Sequence, residues 1–414
     1  MAFFLYAPFI LLLLSIATIP LIAPHFWGKN SHKATVTAIL SMPIMVYLVM
    51  QHPLKLVATL EEYVSFILLL ASLYIISGGV LITGDLRATP ARNTLFLLIG
   101  AILANLVGTT GASMLLIRPL LNSISERKHT RHIPIFFIII VSNIGGVLTP
   151  LGDPPLFLGY LKGVPFLWTF KLWPLWLTAV GLLLGIFYLW DRFWYRQERQ
   201  SDILRDQKMR APVRLFGKIN LLFLLVVIAT VLFQVKTPYR ELVMISMIGL
   251  SLQFTHKKVR RENSFTFYPL SEVAILFAGI FITMIPLMML LATKGASFGI
   301  TKPWQFFWLT GGLSSFLDNA PTYLTFATLA ESISHSSISH LPLVAGIRPD
   351  LLTAISCGAV FMGANTYIGN GPNFMVKSIA EEQGFKMPHF FEYLGYAGLI
   401  LLPVFVVLTF LFFI

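Results

Sequence analysis

The chain has 414 residues, of which 56% are hydrophobic and only 12% charged. A soluble protein of that length would usually form two or three more polar domains. Here apolar runs of about 20 residues recur along the whole sequence, each long enough to cross about 30 Å of hydrocarbon. The net charge of +12 is therefore read as basic loops held on the cytoplasmic side of a membrane, with no nucleic-acid partner. The runs are continuous rather than alternating, which argues against a β-barrel.

The first run, 3–23, lacks a basic leader and is too long for a signal-peptide core, so it reads as a first membrane helix. Spans follow at 34–51 and 63–84. The stretch 93–117 is interrupted near its middle by GTTG (108–111). The run 133–158 contains SNIGGVLTPLGDPP (142–155), and 167–190 follows it. Segment 191–218 alone supplies eight Lys and Arg residues. Further spans fall at 219–235, 241–256 and 271–293. A second interrupted stretch, 304–331, carries LDNAP (317–321). The run 350–378 contains GANTYIGNGPNFMVK (363–377), and 391–414 is the last span. The single cysteine, Cys357, permits no disulfide within the chain.

Loop charge decides how the two interrupted stretches are drawn. If each is a re-entrant hairpin and the N-terminus is outside, the inside loops are 24–33, 85–92, 118–132, 191–218, 257–270 and 379–390. They hold 21 of the 30 Lys and Arg residues, the outside segments (333–349 among them) hold eight, and Lys377 lies within a span. Full crossings would largely erase that bias. The hairpin topology also exposes an internal order. EYVSFILLLASLYIISGG resembles SEVAILFAGIFITMIPLM, NLVGTTGAS resembles SFLDNAPTY, SN (142–143) pairs with AN (364–365), and GDPPLFL resembles GNGPNFM, at offsets between 207 and 222. The expected fold is thus an all-α polytopic membrane protein of two inverted-topology repeats, each with a re-entrant helical hairpin and a broken transmembrane helix. An N-terminal half, 1–190, a cytoplasmic basic linker, 191–218, and a C-terminal half, 219–414, make up the chain. Weak repeats of opposite topology point to a secondary transporter with its site near the midplane.

The broken spans carry the chemistry. Gly145, Gly146, Pro150, Gly152, Pro154 and Pro155 cannot all sit in an undisturbed helix. The unwound backbone would line a cavity with oxygen from Asn143, Thr149 and Asp153. In the second half Asn365, Thr366, Asn370 and Asn373 would do the same with neutral groups. Asp318 and Asn319 lie at the second hairpin's bend, with Thr322 one turn on. A carboxylate at that depth costs several kcal/mol unless it is paired, hydrated or protonated. One that takes either a proton or a cation is the simplest exchanger. Asp318 could equally cap the helix near Pro321. Lys377 would either snorkel to the inner interface or supply an internal charge paired with an acid. Glu272 reads as an acid facing a helix dipole, and His129 and His132 as solvated loop residues. No phosphate loop, metal-ligand spacing or nucleophile motif is present, so no enzyme is expected.

SNIGG…TPLGDPP, SSFLDNAPTY and ANTYIGNGPNFMVKSIAEE resemble members of the ion transporter superfamily, closest to NhaD-type sodium/proton antiporters and citrate transporter-like membrane proteins. The resemblance runs from about residue 60 onward. It implies two inverted repeats, often a homodimer, and an elevator-like motion. The carboxylate-transporting branch carries paired Ser-Asn-Thr motifs at its hairpin tips, whereas the tips here read GTTG and LDNAP. The resulting expectation is a sodium (or other monovalent cation)/proton antiporter of a bacterial inner membrane, with no cofactor and with sodium and protons as the transported ions. Asp318, Asn365 and Asn143 are the expected sodium ligands. Asp318 and Asp153 would titrate, and Lys377 would be a charge partner. The alternative is a sodium-coupled symporter of di- or tricarboxylate or another anion.

Overall fold

The computed structural model describes residues 3–85, 87–208, 211–336 and 342–414. Part of the expected outside segment, 337–341, lies outside the described residues. The chain is almost wholly helical. It begins with α1 (Phe3–Ile22), α2 (Pro24–Trp27), α3 (Asn30–Gln51), α4 (Pro53–Ser77) and a strand β1 (Leu81–Asp85). Then come α5 (Pro90–Ser123), α6 (His132–Ile140), α7 (Pro154–Leu161), α8 (Trp173–Tyr195) and α9 (Gln200–Lys208). After β2 (Ala211–Phe216) follow α10 (Ile219–Leu232), α11 (Tyr239–Phe254), α12 (Lys257–Glu262) and α13 (Tyr268–Lys294). The last elements are α14 (Pro303–Ser314), α15 (Asn319–Ser336), α16 (Pro349–Met362), α17 (Gly371–Glu382) and α18 (Phe390–Phe412). Among the described residues, six helices are long and apolar enough to cross a membrane. Leu54, Leu399 and Phe410 are among the many large apolar side chains facing outward. Hydrocarbon tolerates that surface and water would not.

Both interrupted stretches fold back on themselves. Gly108 in α5 has φ +79°, ψ 155°, a conformation that favours glycine. A Cβ on Gly100 would lie 3.3 Å from Leu116 Cδ1. Sixteen residues of straight helix would separate those positions by about 24 Å. In the second half the rings of Phe306 (α14) and Phe326 (α15) lie 6.3 Å apart across the bend.

Both broken spans run through the protein interior. All of α6, His132 to Ile140, is buried, and so is nearly all of α16. A helix apolar on every side belongs in such a place. The breaks that follow, at 141–153 and 363–370, are thereby kept away from lipid.

Four expectations are revised. The span drawn at 63–84 is a helix from Pro53 to Ser77, and residues 81–85 instead pair antiparallel with β2, Leu81 opposite Phe216 and Thr83 opposite Arg214. Gly78 and Gly79 stop the helix, and the pairing partner lies some 130 residues away, beyond the reach of a hydropathy window. The basic segment 191–218 is accordingly not a plain linker; it holds the end of α8, all of α9 and β2. His132, read as solvated, is buried, and its Nε2 is 2.9 Å from Asp191 Oδ1. Glu272 pairs with buried Lys33 at 2.6 Å and so joins α13 to α3.

Several loops grouped on one side by charge touch one another or the helix ends beside them. Arg127 donates to Ala88 O (3.3 Å) and to both carboxylate oxygens of Asp191 (2.6 and 3.2 Å). Arg131 meets Glu392 (2.5 Å). The Tyr268 hydroxyl donates to Gly28 O (2.6 Å), and Asn263 Nδ2 to Val80 O (3.0 Å).

The Arg127–Asp191 pair is fully enclosed, with side chains 3% and 0% exposed. Asp191→Ala leaves a buried guanidinium without its main partner, so a loss of about 3–5 kcal/mol is expected. Asp350→Ala, at the more open Arg348–Asp350 pair, should cost under about 1 kcal/mol. Thermal unfolding of both variants in detergent, compared with the parent, checks this contrast.

Candidate transport site

Each broken helix is interrupted in the same way. After α6, a 3-10 turn (Ile144–Leu148) leads to extended Thr149 (φ −136°, ψ 155°) and extended Asp153 (φ −147°, ψ 146°) before α7 opens on Pro154. After α16, a 3-10 turn (Gly363–Asn365) leads to extended Thr366 (φ −139°, ψ 167°) and extended Asn370 (φ −152°, ψ 140°) before α17 opens on Gly371-Pro372. Proline in a first helical turn loses no hydrogen bond there. The crossing backbone needs glycine. A Cβ on Gly152 would sit 1.9 Å from Gly146 O, and one on Gly369 would sit 2.6 Å from Gly363 O.

Unwinding frees polar groups, and side chains of the hairpins and breaks take them up. Thr149 Oγ1 donates to Asn105 O (2.5 Å), and Thr366 Oγ1 donates to Ser315 O. Asn105 Nδ2 donates to Ala101 O and Gly145 O (2.9 and 2.6 Å). Ser315 Oγ, with one hydrogen to give, lies 2.8 Å from Gly311 O and 3.1 Å from Met362 O. The partners correspond at an offset of 210 in the hairpins and 217 in the breaks. Asn105, Ser315 and Thr109 are the residues that sequence reading left out of the site. Their signal was polarity inside an apolar stretch, at or just before a flagged tip.

Asp153, 1% exposed, is the centre. Its Oδ1 accepts from Thr109 Oγ1 (2.6 Å) and Asn370 Nδ2 (3.1 Å), and its Oδ2 accepts from Asn319 Nδ2 (2.5 Å). Asn370 Nδ2 also lies 3.0 Å from Ser142 O and 3.2 Å from Asn143 Oδ1. Asn143 Nδ2 donates to Asn373 Oδ1 (2.7 Å) and Ile138 O (2.8 Å), and Asn373 Nδ2 donates to Gly363 O and Thr366 O (both 2.8 Å). Both hairpins and both breaks therefore contribute. Asn319 Oδ1 is buried without a partner. An unmade hydrogen bond costs about 1–3 kcal/mol, so the atom stands ready to accept one or to coordinate.

The other expected residues make no direct hydrogen bond to Asp153. Asp318 is half-buried, and its Oδ1 accepts from Ala320 N (3.1 Å), as a helix cap does. Thr322 bonds back to Asp318 O (2.9 Å). Asn365 Nδ2 donates to Ser315 Oγ (2.8 Å). Of the three expected sodium ligands, only Asn143 belongs to the network around Asp153, and Asp318, Asn365 and Asn143 share no direct hydrogen bond. Lys377 pairs with Glu381 on its own helix (3.2 Å) and lies over the rings of Tyr367 and Phe374.

A cavity of about 80 Å³ reaches Asp153 between α4, the start of α13 and the first hairpin. Leu73, Tyr74, Gly108, Thr109 and Leu270 line it, with no lysine or arginine. The space suits a few waters or one small ion. Sites that enclose drug-sized ligands run to about 300–1,000 Å³.

A family model described as "Putative citrate transport" matches residues 1–413. No curated protein matches the chain.

The glycine crossing gives a direct test of the site's construction. Gly152→Ala should lower the melting temperature sharply and abolish ligand-induced stabilisation, because backbone oxygen occupies the place of the new Cβ. Gly371→Ala, where a Cβ meets nothing within 4 Å, should change neither. Melting curves of both variants are the measurement.

Proposed function

Since the chain belongs to the family described as "Putative citrate transport", we propose that this membrane transporter is a secondary one, exchanging sodium or another monovalent cation for protons. The carrying observation is the company Asp153 keeps. Buried Asp191, Glu198 and Glu241 each have an arginine within 4 Å. Asp153 has one hydroxyl and two amides, all neutral. A buried carboxylate without a fixed counter-charge is costly in its ionised form, and a proton or a mobile cation relieves that cost. Competition of the two for one carboxylate is an exchange mechanism. Thr109, Asn143, Asn319 and Asn370 would position the ion, with Asn373 and the backbone bonds of Thr149 and Thr366 bracing them. Asp318 would serve as a second titrating group near the bend, with Asn365 and Thr322 beside it.

In this reading the fold-backs at Gly108 and around Phe316 are re-entrant hairpins of two inverted repeats. The matched bonds of Thr149 and Thr366, and of Asn105 and Ser315, support it. The N-terminus lies outside, loop 191–218 is cytoplasmic, and a homodimer resides in a bacterial inner membrane. A second reading, sodium-coupled uptake of a tricarboxylate or other anion, is favoured by the family's description. The small cavity without a basic side chain favours the cation.

Proton flux in proteoliposomes, with sodium, lithium, potassium and citrate added in turn, separates the two readings. Sodium should drive proton movement. Asp153→Asn should lower it at least about 100-fold, the loss expected of an essential proton-transfer group, while leaving expression intact. Asp318→Asn retains the cap and cannot titrate, so it reports whether the second carboxylate takes part. Sodium-dependent uptake of labelled citrate without proton exchange would overturn the antiport reading. For topology, single cysteines at positions 205 and 343 on a Cys357→Ala background are treated with an impermeant thiol reagent in intact cells. Position 343 should react and position 205 should not.

A further inference from the structure

The two halves of the site are built alike and charged differently. Asp153 and Asn370 hold the same place in their breaks. Each follows the second glycine of a close glycine pair, each is extended, and each precedes a helix with proline in its first turn. The two side chains meet, Asn370 Nδ2 lying 3.1 Å from Asp153 Oδ1, and the residues are 1% and 3% exposed. Whatever charge position 370 carries is added directly to that of Asp153. The amide also faces three acceptors, Ser142 O, Asn143 Oδ1 and Asp153 Oδ1, with only two hydrogens to give. At any moment at least one of these oxygens lacks a hydrogen bond from this amide, and Asp153 Oδ1 alone has a second donor, Thr109 Oγ1.

We propose that Asn370 is a specificity-determining residue. It places a neutral amide where the other half places a carboxylate, holds this pair at one carboxylate, and so selects singly charged over divalent cations. The proposal rests on the cation-exchange reading above. Two carboxylates at that separation either share one proton or hold a doubly charged hard cation. An amide supplies oxygen without that charge, and its N–H group satisfies the carboxylate when no ion is bound. The nearby carboxylate of Asp318 turns one oxygen to Ala320 N and makes no hydrogen bond to either member of the pair.

Because the two places are equivalent, the charge should be transferable between them. The experiment uses the purified full-length chain in detergent, with ion-dependent melting shifts for sodium, potassium, magnesium and manganese, and proteoliposome proton flux as the second readout. Asn370→Asp should gain at least about tenfold in magnesium or manganese affinity relative to sodium, since ligand charge count sets affinity for hard divalent ions. Asp153→Asn alone should lose its sodium response. The exchanged pair, Asp153→Asn with Asn370→Asp, should recover sodium binding to within about tenfold of the parent, because it keeps both the charge count and the amide–carboxylate bond.

A folded Asn370→Asp variant with an unchanged preference between singly and doubly charged ions would overturn the proposal. So would a folded exchanged pair as unresponsive as Asp153→Asn. If Asn370→Asp fails to fold, the exchanged pair decides alone, and failure of both to fold counts against the equivalence on which the proposal stands. A parent protein that responds to no cation would instead remove the exchange reading itself, and the proposal with it. The two failures are thus distinguishable.

Discussion

Everything at the centre of this protein follows from backbone that leaves helical geometry inside a membrane. Each N–H or C=O freed there costs several kcal/mol if it finds no partner, and lipid supplies none. The chain meets this constraint in two steps. It wraps α6 and α16 in protein on every side, so that the breaks after them never face hydrocarbon. It then returns side chains to the freed groups. Asn105 Nδ2 serves two carbonyls and its Oδ1 takes Leu148 N, and Ser315 repeats the first task in the other half. Glycine pairs at 146/152 and 363/369 permit the crossing that brings those partners within reach.

The candidate site is what remains once the backbone is satisfied. With the carbonyls of Asn105 and Ser315 occupied by the two threonines, Asp153, Asn143, Asn370 and Asn373 are free to converge. Their arrangement concentrates charge on one carboxylate and surrounds it with neutral dipoles. The balanced ion pairs, Arg127–Asp191 and Arg240–Glu241 among them, stand elsewhere and fasten one element to another. Fixed charge pairs hold the structure together, and the carboxylate of Asp153 has only neutral hydrogen-bond donors around it.

Much of this architecture could be read directly. The apolar runs, the interruptions at 108–111 and 317–321, and the glycine- and proline-rich breaks are all local patterns whose physical consequences are local: hydrocarbon crossing, chain reversal and loss of helix. The likeness between GDPPLFL and GNGPNFM likewise became Asp153 and Asn370 in equal backbone states. The reading that concentrated on Asp318 placed an acid at a bend, which is where it lies. Its partner is Ala320 N on its own turn, whereas the side chains converge on Asp153.

The sequence by itself determined that the chain is a helical membrane protein with two interrupted stretches and two broken spans, because length, apolarity and the backbone limits of glycine and proline act over a few residues. The tertiary structure alone decided that β1 pairs with β2, that His132 is enclosed against Asp191, and that Asp153 gathers Thr109, Asn319 and Asn370. Those outcomes depend on which groups, separated by as many as 217 residues, meet at hydrogen-bond distance. No local pattern encodes such a meeting. It is the burial of a charge among neutral donors brought from both halves that turns a polar break into a site.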